Sequence, residues 1–202
     1  MSHHIDKIYY INLNKRVDRK EQIEQELNQF GLLYERFEAF ETPGFGIHGC
    51  GLSHLAVLKM AKANNYNNVL ILEDDFTFVV SKNEFEQQLT AFFDHTIPFD
   101  VLMLSYNLLN FDITEYGFVN KVKEAQTASG YLVAQHYYDT LIDLYEYAMP
   151  LLVQTKQHWI YANDQVWKRL QITDTWYYFV KRIGKQAAGY SDNAQQYVEY
   201  NV

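Results

Sequence analysis

Only one cysteine, Cys50, occurs in 202 residues, which excludes an internal disulfide framework and any metal site built from several thiolates, and fits a reducing compartment. No apolar run approaches the ~20 residues needed to cross a bilayer. The opening stretch, Met1-Ser2-His3-His4-Ile5-Asp6-Lys7, has neither the basic flank nor the long apolar core of a signal peptide. These absences predict a cytoplasmic protein. Positive charge is scarce as well. Seventeen Lys and Arg against 25 Asp and Glu leave a formal net charge of −8, and no Lys/Arg cluster offsets it. A nucleic-acid groove needs a dense basic face, so that class of partner is not expected. No repeat, low-complexity tract or linker interrupts the chain, and its length predicts one domain over residues 1–202 with a core of its own.

What is present centres on Asn68-Val69-Leu70-Ile71-Leu72-Glu73-Asp74-Asp75. Four consecutive large aliphatics predict a strand buried on both faces, and it ends in three carboxylates. In open α/β sheets that edge is where ligands bind. Strand alternation puts Glu73 and Asp75 on one side and Asp74 on the other. Two converging carboxylates repel unless a cation, a donor or a proton lies between them. Oxygen-only ligands favour Mg²⁺ or Mn²⁺, so Glu73 and Asp75 are the candidate metal ligands. Capping or simple solvation of these acids is the competing reading. Seventeen Tyr and 13 Phe exceed what an average core requires; core filling accounts for most of them, and the remainder suit the flat apolar walls of a sugar cleft.

Along the chain, Ile8–Leu13 reads as the first strand, Asn14–Asp18 as a polar turn, and Val17–Phe30 as a helix with Ile23, Leu27 and Phe30 inward and Gly31 as its left-handed cap. Arg16 and Arg19 lie where guanidinium groups and helix-start amides can meet a pyrophosphate. Tyr34–Phe40 predicts a second strand. Residues 42–49 break regular structure through their glycines, and a helix follows from about Cys50 to Asn64 with Ser53 and His54 in its first turns. Adjacent helical residues point in different directions, so Ser53 and His54 do not form a nucleophilic pair. Asn83–His95 is a helix and Asp100–Tyr106 a buried strand. This β-α-β-α-β-α-β order predicts an α/β fold, a mostly parallel central sheet with helices on both faces. Leu108–Phe118 reads as a loop, Lys121–Gln135 as two strands, the stretch around Leu141–Ala148 as a helix stopped by Pro150, and Thr175–Val180 as a last strand. Asn163 or Asp164 starts a short helix, which makes capping the competing role for Asp164.

Taken in order, several stretches resemble glycosyltransferase family 25, the lipooligosaccharide and procollagen galactosyltransferase group. They are Ile8–Leu13 with Arg16, Asp18 and Arg19; Gly49-Cys50-Gly51-Leu52-Ser53-His54; Val69–Asp75; Thr127-Ala128-Ser129-Gly130-Tyr131-Leu132; Asn163-Asp164; and Gln186 with Tyr190-Ser191-Asp192. Asn163 stands where an aliphatic residue is expected. The resemblance implies a GT-A-like nucleotide-diphospho-sugar transferase fold, a UDP-sugar donor, Mn²⁺ (or Mg²⁺), and transfer with inversion to a glycan or glycoprotein acceptor. Glu73, Asp74 and Asp75 become the D-x-D-like element, with Asn12, Arg16, Arg19, Ser53 and His54 around the nucleotide. The chain ends at Val202 without a basic extension, so membrane association is expected to be at most peripheral.

The chemistry of such a transfer adds two demands. A diphosphate leaving group gathers negative charge that a divalent cation stabilises. Inversion by single displacement needs a base for the incoming hydroxyl, for which Asp164 is the first candidate and Asp192 the second. A catalytically silent sugar- or partner-binding relative and a Mg²⁺-dependent phosphate-ester hydrolase are the alternatives.

Overall fold

A computed structural model describes residues 4–191 and 196–198. The first strand, β1 (Lys7–Asn12), turns into α1 (Val17–Phe30). That helix buries Ile23, Leu27 and Phe30 and closes on Gly31 at φ 66°, a left-handed position where a Cβ would be strained. After β2 (Glu35–Glu38) comes α2 (Gly46–Ala63), which begins several residues before the position predicted from its glycines. Thr42 supports the early start: its carbonyl accepts from the Phe45 N–H at the helix cap at 3.0 Å, one of the free donors of that end, and its Oγ1 accepts from the Gly49 N–H at 2.9 Å. Ser53 and His54 therefore lie well inside the helix and not at its start.

The acidic strand β3 (Asn68–Glu73) leads through a two-residue turn into β4 (Phe76–Phe78), and α3 (Lys82–Asp94) opens on a capping box of Ser81 and Glu84. There follow β5 (Val101–Met103), β6 (Asn107–Asp112), β7 (Val119–Gln126), β8 (Gly130–Ala134) and α4 (Tyr138–Thr155). Three single-turn helices come next, α5 (His158–Tyr161), α6 (Asn163–Val166) and α7 (Lys168–Gln171), then β9 (Trp176–Phe179), β10 (Gly184–Gln186), β11 (Gly189–Ser191) and β12 (Gln196–Val198).

Two expectations are corrected here. Residues 107–112 form a strand, not a loop. It is an edge strand with an irregular register against β7 and little burial, and its apolar residues Leu108, Leu109 and Phe111 neither alternate strictly nor make a run long enough to mark a strand. Nor does Pro150 stop α4, which continues to Thr155. Pro150, Glu146 and Tyr147 are exposed, and the Glu146 carbonyl that proline leaves without its helical donor faces solvent.

The main sheet has the order β2-β1-β3-β8-β5-β9-β7-β6. Six of its strands run in one direction, and β8 and β7 run against them. The strand that the sequence order does not anticipate is β8, inserted between β3 and β5. Alternation along the strands divides the core into two layers. Val69, Ile71, Tyr131 and Val133 pack with α2 and α4 on one face. Leu70, Leu72, Leu132 and Phe179 pack with α1 and α3 on the other. Helices thus cover both faces, and the acids of β3 emerge between two dry layers.

Candidate active site at the end of the acidic strand

The pleat of β3 stops at Glu73, so Asp74 and Asp75 take their directions from the turn and not from strand alternation. The expectation that Asp74 stands on the side opposite Asp75 is corrected accordingly. Asp74 and Asp75 share one cation, Arg19, whose Nη1 lies 3.0 Å from Asp74 Oδ1 and 3.0 Å from Asp75 Oδ2. Glu73 continues the Val69 and Ile71 face toward α2.

Each acid of the turn is held from several elements. Asn12, at the end of β1 and 1% exposed, donates to Asp74 Oδ2 at 2.7 Å and to the Arg16 carbonyl at 3.0 Å. Its own Oδ1 accepts from Arg36 Nε of β2 at 3.0 Å. Asp75 Oδ2 also accepts from Gln186 Nε2 at 3.0 Å, and the Asp75 carbonyl accepts from the Ala187 N–H at 2.7 Å. Behind the turn the Phe76 ring fills the space where Gly130 and Gly184 have no side chain. A Cβ on Gly130 would stand 2.6 Å from that ring, so these glycines are needed for close approach. The turn is therefore fixed by β1, β2, α1, β8 and the C-terminal strands together.

Electrostatics set Asp75 apart. Burial, followed by the charge of Glu73, pushes its carboxyl up to about 7, with Arg19 opposing the rise. Its Oδ1 is buried and has no hydrogen-bond partner. An orphaned carboxylate oxygen of this kind calls for an additional donor or a cation. Burial raises Asp74 too, against the pull of Arg19. The oxygen donors of Asp75 and Glu73, with charge in excess of what Arg19 neutralises, fit a hard divalent ion.

On the α2 face Glu73 Oε1 sits 3.0 Å from His54 Nε2 and 3.4 Å from Cys50 Sγ. His54 is fully buried, and its Nδ1 lies 2.8 Å from the Tyr131 hydroxyl of β8. Burial works against the Glu73 charge, yet the His54 hydrogen bond brings its carboxyl below the ordinary value. Ser53 faces elsewhere: its Oγ donates to the Gly49 carbonyl at 2.7 Å and accepts from the Phe40 N–H at 2.9 Å. It pins the loop after β2 to the helix, and the divergence of Ser53 and His54 is as their spacing predicts.

Asp164 comes from far along the chain to the Glu73 side. It stands in the first turn of α6, but its Oδ2 accepts from the Thr127 N–H at 3.1 Å and its Oδ1 from Gln165 Nε2 at 3.3 Å. The capping position belongs to Ala162. Burial raises the Asp164 carboxyl, and the Glu73 charge adds to the rise. Arg16 pairs with Asp18 at 2.8 Å at the start of α1. Asp192 lies outside the described residues. A groove of about 470 Å³ beside β6, β7 and α7, lined by residues such as Lys123, Glu124, Lys168 and Arg169, contains none of the predicted site residues.

Sequence reading missed Cys50, Arg36 and Tyr131 as members of this neighbourhood. The signal for the first was available, because Cys50 and His54 are four apart and share a helix face. Arg36 and Tyr131 carried no such signal, since only sheet pairing brings β2 and β8 to the ends of β1 and β3.

Comparison with known proteins identifies the family. The profile of glycosyltransferase family 25 (LPS biosynthesis protein) matches residues 44–165, a span that includes Cys50, His54, the acidic turn and Asp164. A glycosyltransferase 25 family member of Drosophila melanogaster is 30% identical over 101 residues, which is 37% of this chain and 16% of that protein. The R655 protein of Acanthamoeba polyphaga mimivirus, a glycosyltransferase by name, is 31% identical over 128 residues, 52% of this chain and 39% of its own length. This chain thus spans less than half of either relative.

Two solved structures share the fold. A197 from STIV matches with a TM-score of 0.52 over 98% of this chain and 95% of that one at 10% identity. The mannose-1-phosphate geranyltransferase of Thermus thermophilus matches with 0.51 over 91% and 75% at 8% identity. At such identities the likeness is one of architecture, a GT-A-like α/β fold around a mostly unidirectional sheet. With a family profile covering more than half of the chain, the chain belongs to glycosyltransferase family 25.

Proposed function

We propose that this chain transfers a hexose, galactose or glucose, from a UDP-sugar to a hydroxyl of a glycan or glycoprotein acceptor, with inversion at the anomeric carbon and with Mn²⁺ or Mg²⁺. The observation that carries the reading is Asp75, a buried carboxylate with an orphaned oxygen at the end of β3. Asp75 and Glu73 are the residues that hold the cation. When bound, the ion supplies electrostatic stabilisation of the departing diphosphate.

The chain's own groups do the remaining work. Asn12 and Arg19 hold Asp74 and Asp75 in place, so little reorganisation is needed as charge develops. Arg19 and Arg16 add positive charge at the β1–α1 turn, on the side assigned to the diphosphate. Asp164, raised by burial, accepts the proton of the acceptor hydroxyl as that oxygen forms its bond to the anomeric carbon and the bond to the phosphate oxygen breaks. No helix among the described residues is long and apolar enough to cross a membrane.

A panel of nucleotide sugars, screened with Mn²⁺ for release of the nucleoside diphosphate and for protection against unfolding, tests this reading. UDP-galactose or UDP-glucose is expected to be turned over and to protect. A well-folded chain that neither binds nor cleaves any member of the panel would refute the activity.

A further inference from the structure

The α2 side of Glu73 holds a second cluster, of which the sugar-transfer reading uses Glu73 and neither Cys50 nor His54. A thiol, an imidazole and a carboxylate converge there: one ligand atom each of Cys50, His54 and Glu73 lies within 4.8 Å of the other two. Cys50 and His54 come from successive turns of one helix face and Glu73 from the end of β3. We propose that these three side chains form a binding site for a thiophilic divalent cation of the Zn²⁺ class, distinct in donor chemistry from the hard-cation position at Asp75, with Glu73 bordering both.

The donor set argues for that class. Mg²⁺ and Mn²⁺ prefer oxygen, whereas one sulfur, one nitrogen and one oxygen are a common Zn²⁺ set, and three protein ligands leave a fourth position open. Metal bonds of ~2.3 Å to sulfur and ~2.0–2.1 Å to nitrogen or oxygen place tetrahedral ligand atoms roughly 3.3–3.7 Å apart. The contacts to Glu73 Oε1, 3.0 Å from His54 Nε2 and 3.4 Å from Cys50 Sγ, come close to that spacing, so ligation needs side-chain adjustments of about an ångström.

The surroundings are those of a supported metal site. His54 Nδ1 lies 2.8 Å from the Tyr131 hydroxyl, a partner that fixes the ring and leaves Nε2 as the ligand. The Asn163 amide Nδ2 points at Cys50 Sγ from 3.9 Å. Asn163 is 4% exposed, and a buried amide in place of an aliphatic residue is accounted for by a sulfur that carries charge when a metal binds. Binding converts the Cys50 thiol to a thiolate and releases its proton to solvent.

Co²⁺ is the probe, because a cobalt–thiolate bond absorbs in the near ultraviolet. Titration of the full chain under reducing conditions is expected to give that band at one Co²⁺ per chain, bleached by Zn²⁺. Cys50→Ser abolishes the band, and Glu73→Gln and Tyr131→Phe each weaken Co²⁺ binding, the latter by about 10- to 100-fold. Asp75→Asn leaves the band intact while losing Mn²⁺-dependent transfer, which distinguishes the two positions although Glu73 borders both. Absence of the band in a natively folded chain overturns the proposal and leaves the three groups as a hydrogen-bonded polar cluster. A band that Glu73→Gln does not weaken overturns it as well, since Cys50 would then bind metal as an isolated thiol.

Discussion

Replacing Asp75 by Asn removes one negative charge from the acidic turn while keeping the side chain's shape. In the folded chain the carboxyl stands at about 7 against an ordinary 3.8. At ~1.36 kcal/mol per pH unit this corresponds to at most about 4 kcal/mol against the charged form. Asn keeps the oxygen that both Arg19 and Gln186 contact and replaces the partnerless Oδ1 by an amide that is itself left without an acceptor, so the net gain for the metal-free variant near pH 8 is about 1–3 kcal/mol. For a chain of this length that is roughly 2–4 °C in melting temperature per kcal/mol.

The sign follows from proton linkage. Because the folded pKa is raised, the folded state still holds the proton where the unfolded chain has released it. The contribution to stability is complete below about pH 4 and is lost as the pH climbs through about 7. The parent chain therefore carries its full penalty near pH 8, and the variant's advantage shrinks toward acid. Thermal melts near pH 5 and pH 8, with and without Mn²⁺, measure both effects. Mn²⁺ is expected to raise the melting temperature of the parent and not of Asp75→Asn. A variant less stable than the parent near pH 8 without metal, or an equal Mn²⁺ response in both, would defeat the argument.

Arg19→Ala leaves Asp74 and Asp75 buried without their shared cation, so a loss of about 3–5 kcal/mol is expected near pH 8 by urea unfolding, shrinking in acid as the carboxyls protonate. Arg16→Ala, whose ion-pair partner Asp18 is exposed, should cost less than about 1 kcal/mol. Calorimetric UDP affinity unchanged in both variants would move the diphosphate away from the β1–α1 turn. Pro150→Ala restores a donor for the Glu146 carbonyl inside α4 and should raise urea stability by about 1–3 kcal/mol with no change in sugar transfer.

The parts of the fold that were legible in the sequence are those whose burial is written locally. α1 has the predicted bounds because Ile23, Leu27, Phe30 and Gly31 mark both stripe and stop. β3 is legible because all four of Val69–Leu72 are buried. β6 was illegible for the opposite reason, since on an exposed edge strand Leu108, Leu109 and Phe111 are free of any burial period. The site was legible as a list of acids but not as a grouping. Residues 73–75 were assigned sides by strand period, and the turn after Glu73 overrode that period by handing Asp74 and Asp75 to Arg19. The uses of Asn12 and Ser53 were not legible either. Both are polar residues at a predicted ligand site, yet the structure commits their side chains to protein partners, Asn12 to Asp74 and Ser53 to the loop before α2.

Asp164 is the residue where chemical and structural roles must be separated, because it also holds a strained backbone. Thr127 has φ 83°, an unfavourable position for a β-branched side chain that persists only where surrounding bonds enforce it. Asp164 Oδ2 accepts the Thr127 N–H, and two residues on the Ser129 carbonyl accepts the Glu73 N–H at 2.9 Å. A path of hydrogen bonds and chain thus joins Asp164 to the end of β3. Asp164→Asn keeps an oxygen for Thr127 and removes the proton acceptor, so it should melt like the parent and bind the UDP-sugar normally while transfer falls by about 10² to 10⁴. Asp164→Ala loses the acceptor and the hold on Thr127 together, and should lower the melting temperature as well. Comparable transfer defects with a stability loss confined to Ala assign the proton to Asp164 and the strain to its hydrogen bond. Full transfer in Asp164→Asn would leave Asp164 with the structural role alone and make Asp192 the next base to test.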